Sequence, residues 1–247
     1  MRKAWLLLGL LLFPAFALSG DEVMARVEAR PTPKTFHGVL EMQLINKRGK
    51  VTTRELELWT KKEGEVEKML IKFLAPPDVR GTAFLAIKRG EREEMKLYLP
   101  ALKKVRRIAG GQKKGSFMGS DFTYDDIARL GSLKRENYKN KLLKEDARHY
   151  LVEATPKLGV ESAYERLLIW VEKPHFDVVK IEFYQKGALY KVMTLAEIQT
   201  FAEKYRIPTK LTMENKKTGH KTVLLQKNLE VDRPIPDAVF SERFMRR

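Results

Sequence analysis

The sequence predicts a mainly β fold, a strongly curved antiparallel sheet or incomplete barrel of about eleven strands with a few short helices as a lid. Three observations carry this. From Thr35 to Asp232 the chain is a succession of segments in which apolar and polar side chains alternate, the period of a strand with one packed and one wet face. Between them stand short turn signals such as Lys47-Arg48-Gly49-Lys50, Glu63-Gly64 and Arg89-Gly90. Connections this short join antiparallel neighbours, because parallel strands need a longer crossover. Many strands with so little helix curl or close to shield their edges.

In chain order, residues 37–46 (HGVLEMQLIN) and 51–61 (VTTRELELWTK) read as a hairpin, with Leu56 and Leu58 opposite Glu55 and Glu57. Residues 65–74 follow, with Met69, Ile71 and Phe73 on one side, and stop at Ala75-Pro76-Pro77-Asp78. Residues 82–89 turn at Gly90 into a strand in which Met95, Leu97 and Leu99 alternate with Lys96 and Tyr98 until Pro100 ends it. The run from Leu102 to Ile108 is too irregular for strict alternation and leads into a basic loop around Gly110, Gly111 and Gly115. Phe117, Met118, Phe122 and Tyr124 then crowd a segment broken by Gly119, Ser120 and Asp121, and aromatic groups gain nothing on a solvated turn. Strands resume at residues 146–155, 164–173, 178–186, 189–196, 207–215 and 221–232. Residues 167–171 and 223–225 are apolar on both faces and ask for cover on both. Helical cover is expected at residues 21–28, 124–130 and 238–245. In the last of these, Phe240 and Phe244 lie four apart and would share a helix face as a plug.

The first residues are set apart from the fold. Arg2 and Lys3 precede an apolar run from Ala4 to Phe13, followed by Pro14 and Ala15-Phe16-Ala17, the pattern of a secretory signal peptide. Residues 1–20 are therefore assigned to the signal, with cleavage after Ala17 preferred and after Gly20 second, and residues 21–247 to a single domain. Cysteine is absent, so the chain has neither a disulfide nor the thiol a lipid anchor requires. The formal charge of +16 favours anionic partners, and export makes nucleic acid the least fitting of them.

Catalytic material is scarce. His37, His149, His175 and His220 are scattered without metal-ligand spacing and read as surface or strand-end residues. Gly110 and Gly115 have the separation of a phosphate loop, but Ser116 stands where its lysine belongs. Asp121, Asp125 and Asp126 lack the alternating spacing of a calcium loop and read as turn and helix caps. No cofactor, no metal and no enzymatic activity are expected. Lys103, Lys104, Arg106, Arg107, Lys113 and Lys114 form the strongest electrostatic feature. They read either as a solvated face or as a landing patch for an anionic membrane surface or an acidic partner.

Three motifs in succession, FLAPPDVRGTAFLAI, KLYLPALKKVRRI and SFMGSDFTYDDI, resemble those of the outer membrane lipoprotein-sorting proteins, relatives of the periplasmic carrier LolA. The resemblance is strong over residues 66–130, and the later strands agree in spacing. It implies an incomplete, strongly curved β-barrel covered by helices, with an apolar cavity for acyl chains. It also implies association with transporters of the RND type. Taken with the signal peptide, it implies a soluble periplasmic carrier of a lipid or lipoprotein. The alternative is a periplasmic sensor or adaptor using the same fold to bind a protein partner. The residues expected to line the cavity are Phe84, Leu97, Leu99, Phe117, Phe122, Tyr124, Ile169, Phe183 and Met193.

Overall fold

The computed structural model describes residues 18–130 and 134–247. The expected signal peptide lies outside them except for Leu18, Ser19 and Gly20. The first element is helix α1 (Gly20–Glu28), started by Ser19, whose hydroxyl accepts from the Glu22 amide while the Glu22 carboxylate accepts from the Ser19 amide. Glycine at position 20 is required by packing. A Cβ there would sit 2.6 Å from the backbone nitrogen of Leu142.

Thirteen strands follow: β1 (Thr35–Ile45), β2 (Val51–Glu63), β3 (Val66–Ala75), β4 (Ala83–Arg89), β5 (Arg92–Leu99), β6 (Lys104–Ile108), β7 (Tyr138–Glu145), β8 (His149–Pro156), β9 (Arg166–Glu172), β10 (Asp177–Gln185), β11 (Ala188–Phe201), β12 (Tyr205–Asn215) and β13 (Lys221–Val231). Helix α2 (Tyr124–Ala128) lies between β6 and β7, and α3 (Glu242–Met245) follows β13. All the strands form one curved antiparallel sheet in the order β6-β5-β4-β3-β2-β1-β13-β12-β11-β10-β9-β8-β7. It does not close, since β6 and β7 stand at its two edges.

Eleven strands match the expected segments. The two additional ones, β6 and β7, are the two edges. Their burial explains why alternation fails there: in β6 only Ile108 is buried and in β7 only Tyr138. An edge strand carries Lys and Arg because one side of its ladder has no partner and charge discourages another chain from pairing there.

Strand direction follows from the pairing. β1 is antiparallel to both β2 and β13, so β6 and β7, five and seven strands from β1 and each an odd number of antiparallel steps away, run the same way. The β6–β7 connection must therefore carry the chain back along the length of the sheet, and within it Phe117, Phe122 and Ile127 pack on the inner face. The same alternation sends the β1–β2, β3–β4, β5–β6, β8–β9, β10–β11 and β12–β13 turns to one end, here called the first end. The other hairpin turns lie at the second.

The inner face holds one continuous core to which every strand contributes, from Leu40 and Met42 on β1 to Ile169 and Val171 on β9 and Leu224 on β13. Val23 and Met24 of α1, Phe117, Phe122 and Ile127 complete it. Burying a side chain of this size is worth about 1.5–3 kcal/mol. The outer face has a second, smaller core on Leu70, Ala83, Leu85 and Ile87, covered by Ile235, Phe240 and Met245 with Phe244 at its margin. The expectation that Phe240 and Phe244 share one helix face is corrected: Phe240 ends the 3-10 turn Asp237–Phe240 and Phe244 lies in α3, with Ser241 between the two turns, and both rings cover the outer face. β3 and β4 bury both faces, and the C-terminal segment seals the outer one, tied down by Asp237 to Lys61 (2.8 Å) and Lys68 (2.9 Å) and by Glu242 to Lys96 (2.9 Å). Residues 167–171 do not need two-sided cover, because β9 alternates. Trp170 is half-buried beneath the Lys180 ammonium, 4.2 Å from its ring.

Candidate functional site

The nine expected cavity residues all belong to the inner core. Phe84, Phe117 and Phe122 are fully buried, Leu97, Ile169 and Phe183 nearly so, and Leu99, Tyr124 and Met193 pack half-buried at its margin. Around Phe117 they meet ring to ring. It lies 5.4 Å from Phe84, 5.5 Å from Tyr124 and 5.9 Å from Phe73, and the contacts to Phe84 and Tyr124 are edge-on, as ring quadrupoles favour. The aromatic segment is thus a tight loop driven into the inner core.

Local geometry builds this loop. Ser116 and Thr123 bridge at its base, the Phe117 amide donates to the Phe122 carbonyl (2.8 Å), and Met118 and Gly119 take the left-handed conformation at the tip, with φ 51° and 78°. Thr123 then caps α2 reciprocally with Asp126. This matches the expected role of Asp126 in starting the helix.

Polar bonds fasten the loop to the first end of the sheet. The Asp121 carboxylate accepts from the Thr222 hydroxyl at 2.8 Å and meets the His220 ring nitrogen at 2.6 Å, while the Asp121 amide donates to Thr222 Oγ1 at 2.9 Å. The buried Lys191 ammonium donates to the Asp121 carbonyl at 2.6 Å. Arg54 donates to the Met118 carbonyl from β2. Behind Lys191, the Tyr164 hydroxyl donates to Asp126 at 2.8 Å. Burial, reinforced by the Asp126 charge, pushes that hydroxyl well above its ordinary pKa and keeps it a donor. Burial lowers the Lys191 pKa, opposed by Asp126 and Asp121.

Sequence reasoning anticipated Asp121 as a turn residue only, and it treated His220 as peripheral. Lys191 and Tyr164 were missed. A signal for Lys191 existed: it lies in the same strand register as Met193 and Leu195, so an ammonium points towards an apolar face and must find an oxygen there.

Asp125 stands apart from this network. Burial raises its carboxyl above the ordinary value, opposed by Arg129, and its Oδ1 has no hydrogen-bond partner among the described residues. A carboxyl whose folded pKa is raised contributes its stability below the unfolded pKa and loses it as pH rises through the folded one. Asp125→Asn is therefore expected to raise the melting temperature at pH 7 by about 2 °C. The gain should shrink on acidification until Asp125 is protonated in both states, and thermal scans at several pH values measure it.

The six basic residues do not form one surface. Lys103 sits at the first end, φ 51° in the turn before β6, and Lys104, Arg106 and Arg107 follow along the exposed edge. Lys113 and Lys114 lie in the 3-10 turn Gly110–Lys114 beyond the other end of that strand. Lys113 is partly buried and paired with Glu93 at 2.7 Å, which removes it from the set of free cations. Two recesses lie elsewhere. One, of about 460 Å³, is lined by Lys34, Lys61, Lys204, Tyr205 and Asp232 at the second end, and the other, of about 240 Å³, by Glu41, Glu55 and Lys227. Neither is lined by any of the nine core residues.

A family model described only as an uncharacterized protein matches residues 65–247. No curated protein sequence matches the chain. Among solved structures, the outer membrane lipoprotein-sorting protein domain from Vibrio parahaemolyticus is 31% identical, with a TM-score of 0.84 over 92% of this chain and 98% of that one. A DUF1329 family protein from Desulfovibrio piger is 30% identical, also with a TM-score of 0.84, over 92% and 97%. A LolA superfamily protein from Nitrosomonas europaea, 20% identical, shares the fold with a TM-score of 0.71 over 92% and 100%. With its unclosed sheet, its loop-plugged inner core and these relatives, the chain belongs to the LolA-like family of outer membrane lipoprotein-sorting proteins.

Proposed function

We propose that the protein is a soluble periplasmic carrier that binds the acyl chains of a lipid or lipoprotein against the inner face of its sheet and shuttles them between membranes in concert with an RND-type transporter. One observation carries the reading: the apolar interior is stoppered by a separate loop, Ser116 to Thr123, held by polar bonds at the first end of an unclosed sheet. A loop fastened by polar bonds is released more readily than a strand of the sheet. The magnitudes allow exchange. Withdrawing Phe117 and Phe122 forfeits about 3–6 kcal/mol of burial, while each CH₂ of an entering chain returns about 0.8 kcal/mol.

Export rests on the leader pattern at residues 1–17. Cleavage after Ala17 preserves the Ser19 cap of α1, whereas cleavage after Gly20 removes it. The work described is physical transfer, with no bond made or broken, so the protein is not an enzyme in this reading. Phe84, Leu97, Leu99, Phe117, Phe122, Tyr124, Ile169, Phe183 and Met193 are the acyl contacts. Leu99, Tyr124 and Met193, being half-buried, meet the ligand first. A sensor or adaptor that binds a protein partner is the second reading. It is favoured by the direct ring packing of Phe84, Phe117 and Tyr124, which fills the space a resident ligand would occupy.

Native mass spectrometry of protein purified gently from membrane-containing extract, paired with titration of a fluorescent fatty acid, tests the carrier. Lipid adducts and saturable fatty-acid binding are expected, and Met193→Glu should weaken that binding at least tenfold. Repeated absence of both adduct and binding would leave the sensor reading in possession.

A further inference from the structure

The strand directions sort the hairpin turns into two sets whose chemistry differs. At the first end the connecting residues read NKRGK, PPDVRGT, PALK, KLGVESAYE, KG and KKTGH, which hold nine Lys or Arg against three Asp or Glu. At the second end they read GE, GE, DAR, KPHF and AEK, three Lys or Arg against four Asp or Glu. All nine cations of the first end are exposed, and among the described residues only Lys216 has an ion-pair partner, Glu214 at 2.9 Å. Cations placed without counter-charges repel one another at a cost in stability that an external anion would relieve.

The apolar exceptions gather in the same place. The exposed large hydrophobic side chains among the described residues are Val51, Leu102, Leu143 and Leu158. Leu143 lies within β7. The other three stand at the first end: Leu158, fully exposed at the β8–β9 turn, Leu102, 56% exposed in the 3-10 turn Pro100–Leu102, and Val51, 49% exposed just after the β1–β2 turn. Each is next to a lysine or separated from one by a single residue.

We propose that the first end is a docking surface for an anionic lipid bilayer, with Leu102 and Leu158 entering the acyl boundary while the surrounding lysines lie among the headgroups. Two features favour a bilayer over an acidic protein. The apolar tips sit singly on separate turns across the open end, whereas a protein interface concentrates its apolar groups in one buried patch. Seven of the nine cations are Lys, a residue that protein interfaces deplete, whereas a diffuse anionic surface attracts any exposed cation, by about fivefold in affinity for each. This surface is distinct from the basic residues of β6 and the turn after it, and it does not depend on what the interior carries.

Co-sedimentation of the purified protein with lipid vesicles tests the proposal. Binding is expected to vesicles containing about a third phosphatidylglycerol, to be absent with phosphatidylcholine alone, and to fall steeply with salt, because exposed charges are screened within about 10 Å at 0.1 M. Lys47→Glu with Lys217→Glu should lower affinity at least 25-fold, and Leu102→Ser with Leu158→Ser at least fivefold. Arg148→Glu with Lys204→Glu, at the second end, should leave it within twofold, and circular dichroism confirms that each variant is folded. Equal binding to neutral vesicles, equal losses from reversals at the two ends, or binding only to an acidic protein would each overturn the proposal. Fatty-acid titration of the same variants separates docking from loading. Loss of vesicle binding with unchanged loading supports the docking surface, and failure to load by every form including the wild type strikes only the carrier.

Discussion

Phe117→Ala is expected to lower the stability of the fold by about 3–5 kcal/mol, because it empties a fully buried site that three other rings share. For a chain of this size, that is a fall of roughly 10 °C in melting temperature. The same substitution separates the two functional readings. If the loop is a stopper that an acyl chain replaces, shortening its largest side chain weakens the competitor, and fatty-acid binding should tighten even as the fold loosens. If the interior is permanently its own core, the variant melts earlier and binds nothing new. Thermal denaturation and fatty-acid titration on one preparation distinguish the outcomes, since a structural role alone gives no gain in binding.

Asp121→Ala is expected to cost about 3 kcal/mol, with most of the damage local to the loop. Its carboxylate is the meeting point of Thr222 and His220, and removing it leaves a Thr222 hydroxyl with 0% residue exposure short of an acceptor. Thr222→Val removes the same bond from the other side. If the two act through one another, the double variant should fall short of the sum of the single variants by about 1–2 kcal/mol. Hydrogen exchange should show faster opening of residues 116–124 in each variant, with the ladders of β1, β2 and β13 unchanged. Protection lost evenly across the sheet would mean that these bonds hold the whole fold and fasten no separable loop.

Most of the architecture was legible in the sequence because it rests on period-two alternation, which the inner strands keep. Leu56 and Leu58 on β2 or Ile181 and Phe183 on β10 declare their inward face two residues at a time. The rule failed where one side of a strand loses its neighbour. Arg106 and Arg107 on β6, and Lys139 and Lys141 on β7, obey the demands of an edge before those of a face. The site was legible in its apolar half only. Phe117 and Phe122 stand out as aromatics among turn residues, and they are buried. The partners of Asp121 lie 70 residues away at Lys191 and 101 away at Thr222, and a pairing of that span follows from the completed topology alone. The C-terminal phenylalanines show the converse. Their spacing of four predicts one shared helix face, but the chain breaks at Ser241 into two short turns, and the spacing does not tell which side of the sheet receives the rings.

The sheet has thirteen strands, and that count has a geometric consequence. A ring in which every neighbour is antiparallel must contain an even number of members. With an odd number, one junction is frustrated, and here the frustration falls between β6 and β7. The gap is therefore a matter of parity: no lengthening or straightening of those two strands would zip it with the ladder used everywhere else. Inserting or deleting a whole hairpin changes the count by two and leaves the mouth in place. The gain or loss of a single strand would alter which junction, if any, is left open.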